Sequence, residues 1–202
     1  MKQLQKFAPS ATRLLCIAVL VAMSNSTAEA AGVEGQGGFM SGLLHPVLGF
    51  DHLLAMVAVG LLSVQIGGRA VWTVPAAFVA FLIAGGAIGL AGIALPEVEG
   101  VIALSVLVLG TAIAAQARLP MVVAMAAVGL FAIFHGHAHG TEVPSLADPA
   151  SYVIGFALAS AFLHLAGVGL GLLAHRPHLR ALLGAGIAGV GLHMVLLTYS
   201  VV

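Results

Sequence analysis

The sequence predicts an all-α integral membrane protein: six transmembrane helices in a compact, glycine-rich bundle after a cleavable signal peptide. Three observations carry this. The chain of 202 residues is 61% hydrophobic and only 7% charged, with a mean hydropathy of +1.15, whereas soluble domains are about a quarter charged. Apolar runs of roughly 20 residues, the length that crosses about 30 Å of hydrocarbon as a helix, recur along it. The 26 glycines cluster within those runs, where small residues let helix backbones approach closely in lipid. Such a chain cannot cover a water-exposed surface, so the lipid bilayer is its first expected partner.

Residues 1–31 are a separate object. Lys2, Lys6 and Arg13 precede and enter a short apolar core, "LLCIAVLVAM", and "SNSTAEA" ends in small residues at Ala28 and Ala30. This is the layout of a secretory signal, with cleavage expected after Ala30 or Ala31; an uncleaved first span is the alternative. Cys16, the one cysteine, falls inside this segment, and "RLLC" lacks the small residues of a lipoprotein cleavage site. Residues 32–202 then hold no cysteine. Disulfide, iron–sulfur and thiolate metal sites are excluded, and any metal must rest on His, Asp, Glu, Met or backbone.

Six apolar spans follow, at about 42–64, 70–92, 99–117, 120–138, 151–173 and 180–200. Span two carries "GGAIGLAG", span five "GVGLG" and span six "GAGIAGVG"; close helix packing accounts for these glycines, and no chemistry is assigned to them. Arg69, Arg118, Arg176 and Arg180 fall in the first, third and fifth connections, while Glu97, Glu99, Glu142 and Asp148 fall in the others, with Glu34 in the tail before span one. Basic loops stay cytoplasmic, and a secretory signal independently puts the following chain outside. Both termini are therefore expected on the outer side. Trp72 and Tyr199, near span ends, fit interfacial anchors.

The nine histidines carry the chemistry. His45, Asp51 and His52 open span one in "HPVLGFDH", and "FHGHAHGTE" ends span four with His135, His137, His139 and Glu142. Topology brings both clusters to the outer membrane face. His45 and His52 are seven residues apart, roughly 10 Å along a straight helix, too far for one ion to touch both. Pro46 suits a first helical position and Gly49 is a weak point in the opening turn, so His45 is expected to fold back toward Asp51 and His52 from just before the helix. Met56, one turn below His52, offers a thioether. If the fourth helix persists past Gly136 and Gly140, then His135, His139 and Glu142 form one stripe and His137 lies on another side. His164 and His193 fall inside spans five and six, where ionisable residues normally face the bundle interior or a water-filled path.

Plainer accounts compete for several of these. His175 and His178 belong to a cytoplasmic loop and fit ordinary interfacial residues. Helix–helix hydrogen bonding would explain His164 and His193, helix capping would explain Asp51, and Glu97 and Glu99 fit loop acids, although an acidic mouth would also concentrate cations. Imidazoles with one or two carboxylates and no thiolate favour nickel, cobalt, zinc or copper(II), whereas magnesium and calcium prefer all-oxygen shells. Ligand type alone does not choose among the first group.

At these residues the sequence resembles the HupE/UreJ hydrogenase and urease accessory membrane proteins. The resemblance rests on His45, five intervening residues, then Asp51-His52 inside "HPVLGFDHLLAM", and on "FHGHAHGTE" at the end of span four. It covers essentially all of the chain after the leader. The broader nickel–cobalt transporters have four residues between the His and the Asp-His pair, and this sequence departs from them there. The resemblance implies a bacterial inner-membrane permease for Ni2+, or Co2+, that supplies nickel enzymes. It assigns importance to His45, Asp51, His52, His139 and Glu142, and it leaves the roles of His135 and His137 less defined.

The expected mechanism is capture at the acidic outer face by the two clusters, with Met56, Glu99, His164 and His193 as secondary candidates along the path. No prosthetic group and no nucleic-acid partner are expected; the ion itself, Ni2+ or else Co2+ or Zn2+, is cargo. GxxxxGK[ST] does not occur, so the chain is not expected to hydrolyse ATP, nor to be an enzyme. Two rivals remain at this stage: an intramembrane metal-dependent hydrolase with a zinc-bound water, and a haem-binding electron carrier with His164 and His193 as axial ligands.

Overall fold

The computed structural model describes residues 38–143 and 148–200, and these are helical apart from short connections. The expected signal peptide lies outside the described residues. Among those residues there are seven helices and no strand: α1 (Gly38–Leu48), α2 (Phe50–Ile66), α3 (Ala70–Leu90), α4 (Val98–Ala114), α5 (Met121–Thr141), α6 (Pro149–Leu173) and α7 (Pro177–Ser200). Four of them, α3, α5, α6 and α7, are long and apolar enough to cross a membrane, and α1 with α2 makes a fifth if counted as one broken span. Helix α4 is apolar but has 17 residues, about 26 Å at 1.5 Å per residue. These are the lengths and composition of a multi-pass membrane protein. Large apolar side chains, among them Trp72, Val122, Phe162, Leu172 and Leu182, project from its outside.

The first span departs from the sequence expectation. It is not one helix with a loose lead-in but two helices, bent by 77° at Gly49. Pro46 is not at a first helical position; it lies inside α1, two residues from its end. Proline has no N–H to give to the turn before it, and the chain leaves the helix soon afterwards, with Gly49 extended at φ −74°, ψ 104°. The break loses little backbone bonding. The Gly49 N–H still donates to the His45 carbonyl at 2.9 Å, and the Gly49 carbonyl accepts from the Leu53 N–H at 2.9 Å.

Helix α2 is the centre of the bundle, touched by every other helix, while α3 pairs most extensively with α5 and α4 with α7. Small residues set these distances. A methyl built on Gly136 of α5 would run into the Leu82 carbonyl of α3, and one on Gly140 into the Gly86 carbonyl. The same holds between α2 and α6, where Gly60 abuts the His164 carbonyl and Gly167 the Val57 carbonyl. The core between them is aliphatic and aromatic, with Met56, Val59, Leu62, Phe78, Leu82, Val128 and Phe156 all inaccessible. One end of the bundle gathers the start of α2, the α3–α4 connection, the end of α5 and the start of α6. The candidate site is there.

Candidate metal site

Four histidine rings meet at that end in an unbroken series. His45 from α1 lies 4.7 Å, centroid to centroid, from His139 of α5. His139 lies 4.4 Å from His52 of α2, and His52 lies 4.8 Å from His135, one turn below His139 on α5. Exposure falls from Glu142 and His45 to the inner rings, of which His52 keeps 8% of its side chain exposed. The side chains of Glu142 and His45 are 49% and 27% exposed, whereas His139 and His135 are inaccessible. The bend at Gly49 is what makes this possible. On a straight helix His45 and His52 would stand two turns apart, yet their centroids are separated by 6.3 Å.

Each ring is held differently. Asp51 Oδ1 accepts from the His52 backbone N–H at 2.7 Å and from His52 Nδ1 at 2.8 Å. Because Nδ1 carries the proton, Nε2 keeps its lone pair, the arrangement by which a carboxylate orients a metal-binding imidazole. His135 Nδ1 donates to the Phe131 carbonyl at 3.1 Å, which likewise leaves Nε2 free to accept. The His139 ring makes no hydrogen bond among the described residues; it is held by stacking on Phe156 of α6, at 4.7 Å and 26°. His45 Nε2 pairs with Glu142 Oε2 at 3.1 Å, and the Tyr152 ring lies 6.2 Å from the His45 ring.

The chemistry of the donors fits a borderline divalent cation. His45, His139 and Glu142 each offer one ligand atom, all within 4.8 Å of one another. Deeper in, His52 Nε2, His135 Nε2 and both His139 nitrogens are buried without a hydrogen-bond partner. An unpartnered buried polar atom costs about 1–3 kcal/mol, so this cluster of them is a candidate place for a ligand; His137 Nδ1 and the Tyr152 hydroxyl are buried and unpartnered as well. Neutral imidazole nitrogens with carboxylate at the mouth are donors that such an ion accepts.

The remaining sequence candidates separate into two groups. Helix α5 runs through Gly136 and Gly140 to Thr141, because both glycines are packed against α3, and so His135, His139 and Glu142 share one side. His137 lies on the other side, and its Nε2 donates to the Ile93 carbonyl in the α3–α4 connection at 2.7 Å. It ties two elements together and is not among the clustered donors. Asp51 is bonded to His52 and is also outside the closest donor set. Glu99 lies in the first turn of α4, at the same end of the bundle as the cluster. Met56 sits one turn below His52 in the apolar core. His164 is buried on α6, 5.0 Å from the Phe78 ring. His193, half-buried on α7, makes no hydrogen bond, ion pair or ring contact among the described residues.

Sequence reasoning passed over Phe156, Phe131 and Phe78, which support the imidazoles. A signal existed: Tyr152, Phe156, Ser160 and His164 recur every fourth residue along α6 and all are buried. That stripe looks like ordinary core until the histidines it faces are known.

The family described as HupE / UreJ protein matches residues 17–194. The chain is 50% identical over 133 residues to a protein from Rhizobium leguminosarum bv. viciae named Protein HupE, covering 66% of this chain and 70% of that relative. No solved structure matches. With its two histidine motifs joined in one cluster and the match spanning nearly all its length, the chain belongs to the HupE/UreJ family.

Proposed function

We propose that the chain is a permease carrying Ni2+, or Co2+, inward across a bacterial inner membrane to supply the maturation of hydrogenase or urease. The observation that supports this reading is the convergence of His45, His52, His135 and His139 with Glu142 and Asp51, graded from exposed to buried, with imidazole nitrogens left unpartnered. The reading takes six crossings, counting α1–α2 as one and α4 as another, with the leader removed. The arginine connections then face the cytoplasm, and the acidic end and both termini face the periplasm.

A hydrated ion meets Glu142 and His45 first, with Glu99 adding negative charge nearby. His139 belongs to the outer donor set and also contacts His52, so it can pass the ion to His52 and His135. Exchanging waters for ligands in steps lowers the desolvation barrier, and no single stop binds so tightly that release fails. Asp51 and the Phe131 carbonyl hold the protons on Nδ1, so that Nε2 of His52 and of His135 stays a lone-pair donor. The chain performs no bond chemistry in this reading.

Nickel uptake by cells expressing the chain tests it. His52→Ala and Glu142→Ala should each lower uptake at least tenfold at equal protein level. Wild-type uptake in both variants would refute the assignment.

A further inference from the structure

The outer cluster does not use the polar groups buried halfway down α6. His164 is 1% exposed and Ser160 is inaccessible; both His164 nitrogens and the Ser160 hydroxyl lack a hydrogen-bond partner among the described residues. They are four residues apart, hence on one side of α6, in the stripe whose outer members, Tyr152 and Phe156, wall the outer cluster. His164 lies eight residues beyond Phe156, about 12 Å farther along the helix axis. Between the two levels stands Phe78, whose ring centroid is 5.7 Å from that of His135 and 5.0 Å from that of His164. His135 and His164 make no ring contact with each other; Phe78 touches both.

Resting on the permease reading, we propose that His164 and Ser160 form a second, inner station for the transported divalent ion, reached from His135 past the Phe78 ring. A histidine here has no helix–helix hydrogen bond to make, so the plain account of an intramembrane histidine does not apply. A neutral imidazole and a hydroxyl can each donate a lone pair to a borderline cation. With no carboxylate, the station is poorer in ligands than the outer one. That is the order a path needs if the ion is to leave inward rather than remain at the mouth. The tight α2–α6 crossing, where Gly60 meets the His164 carbonyl, fixes the station against the central helix.

Cysteine at position 164 provides a direct readout, since a thiolate bound to Co2+ gives a near-ultraviolet charge-transfer absorption that imidazole does not. The full-length chain and its His164→Cys and Ser160→Cys variants are purified in detergent and titrated with Co2+, with the parent chain as control for Cys16. The expected result is a saturable new band in either cysteine variant, absent from the parent. In parallel, His164→Leu should retain Ni2+ binding within threefold of the parent while Ni2+ uptake into proteoliposomes falls at least tenfold. If neither folded cysteine variant gives the band, or His164→Leu transports like the parent, the inner station is refuted and the outer site stands. If the parent chain neither binds nor transports Ni2+, the permease reading falls and the inner station with it.

Discussion

Asp51 is the residue whose role the geometry specifies most sharply. Its Oδ1 is engaged twice by His52, through the backbone N–H at 2.7 Å and the ring Nδ1 at 2.8 Å, so on the permease reading it is expected to orient a ligand instead of being one. Asp51→Asn preserves shape and leaves an acceptor for both donors, but it removes the charge. Hydrogen bonds to a carboxylate are about twice as strong as neutral ones, and loss of such an orienting partner lowers metal affinity roughly 10- to 100-fold. The Asp51 side chain is 28% exposed, and partial solvent screening weakens the charge effect, which places the expected loss near the tenfold end. His52→Ala removes a ligand outright and should lose more. Calorimetric titration of the purified variants with Ni2+ reads the difference. Loss of binding in Asp51→Asn as complete as in His52→Ala would make Asp51 a direct ligand; unchanged affinity would deny it any orienting role. Either result refutes the reasoning.

Other expectations follow from single contacts. His137→Ala loses the bond to the Ile93 carbonyl and should lower stability by about 1–3 kcal/mol, while Ni2+ affinity stays within threefold; a thermal melt and the same titration separate the two. Acidification should lower Ni2+ uptake, because imidazole must be neutral to bind metal. The fall should begin above the carboxylate range of about 4, and uptake that stays flat down to that range would refute this expectation. Gly60→Ala drives a methyl into backbone of α6, which cannot yield as a flexible side chain can. It should destabilise the bundle by roughly 1–3 kcal/mol and depress uptake. Gly169→Ala, with open space around it, should leave folding and transport unchanged or gain about 0.5–1 kcal/mol. Equal behaviour of the two alanine variants in thermal melts would reject the packing argument.

Much of the site was legible in the sequence, because topology alone puts the ends of alternate spans at one membrane face. The fourth-residue spacing of His135 and His139, with Glu142 beyond, predicts one side of a helix, and His137 falls off it. What propensity could not decide was whether that helix survives Gly136 and Gly140. It survives because both glycines are required by the carbonyls of α3, a tertiary reason invisible along the chain. The same blindness affected the first motif. Pro46 and Gly49 announced a disturbance, but a proline is compatible with a helix start as well as with a position near a helix end, so a broken span read as a loose lead-in. The partners of the imidazoles were the least legible. A carbonyl such as that of Phe131 or Ile93 has no sequence signature, and Phe156 is indistinguishable from core until His139 is stacked on it.

The glycine crossings and the histidine cluster are two aspects of one design. Packed helices normally stand 8–10 Å apart, depending on the side chains at the contact. Imidazoles on α1, α2 and α5 meet at ring-contact distance, while the backbone-to-backbone crossings lie between α5 and α3 and between α2 and α6, which seat two of these helices in the bundle. Gly136 and Gly140 interleave with the histidines of α5, and Gly60 faces the carbonyl of His164. Small residues also remove apolar bulk that would otherwise bury favourably, and the cluster leaves several polar nitrogens unpartnered. Each such nitrogen costs about 1–3 kcal/mol against a total stability that is usually only 5–15 kcal/mol. A bundle selected for stability alone would fill these positions with leucine and valine. Here unpartnered nitrogens of His52, His135 and His139 lie together beneath the exposed mouth, so on the permease reading the cost is concentrated where an arriving cation would relieve it, one ligand after another.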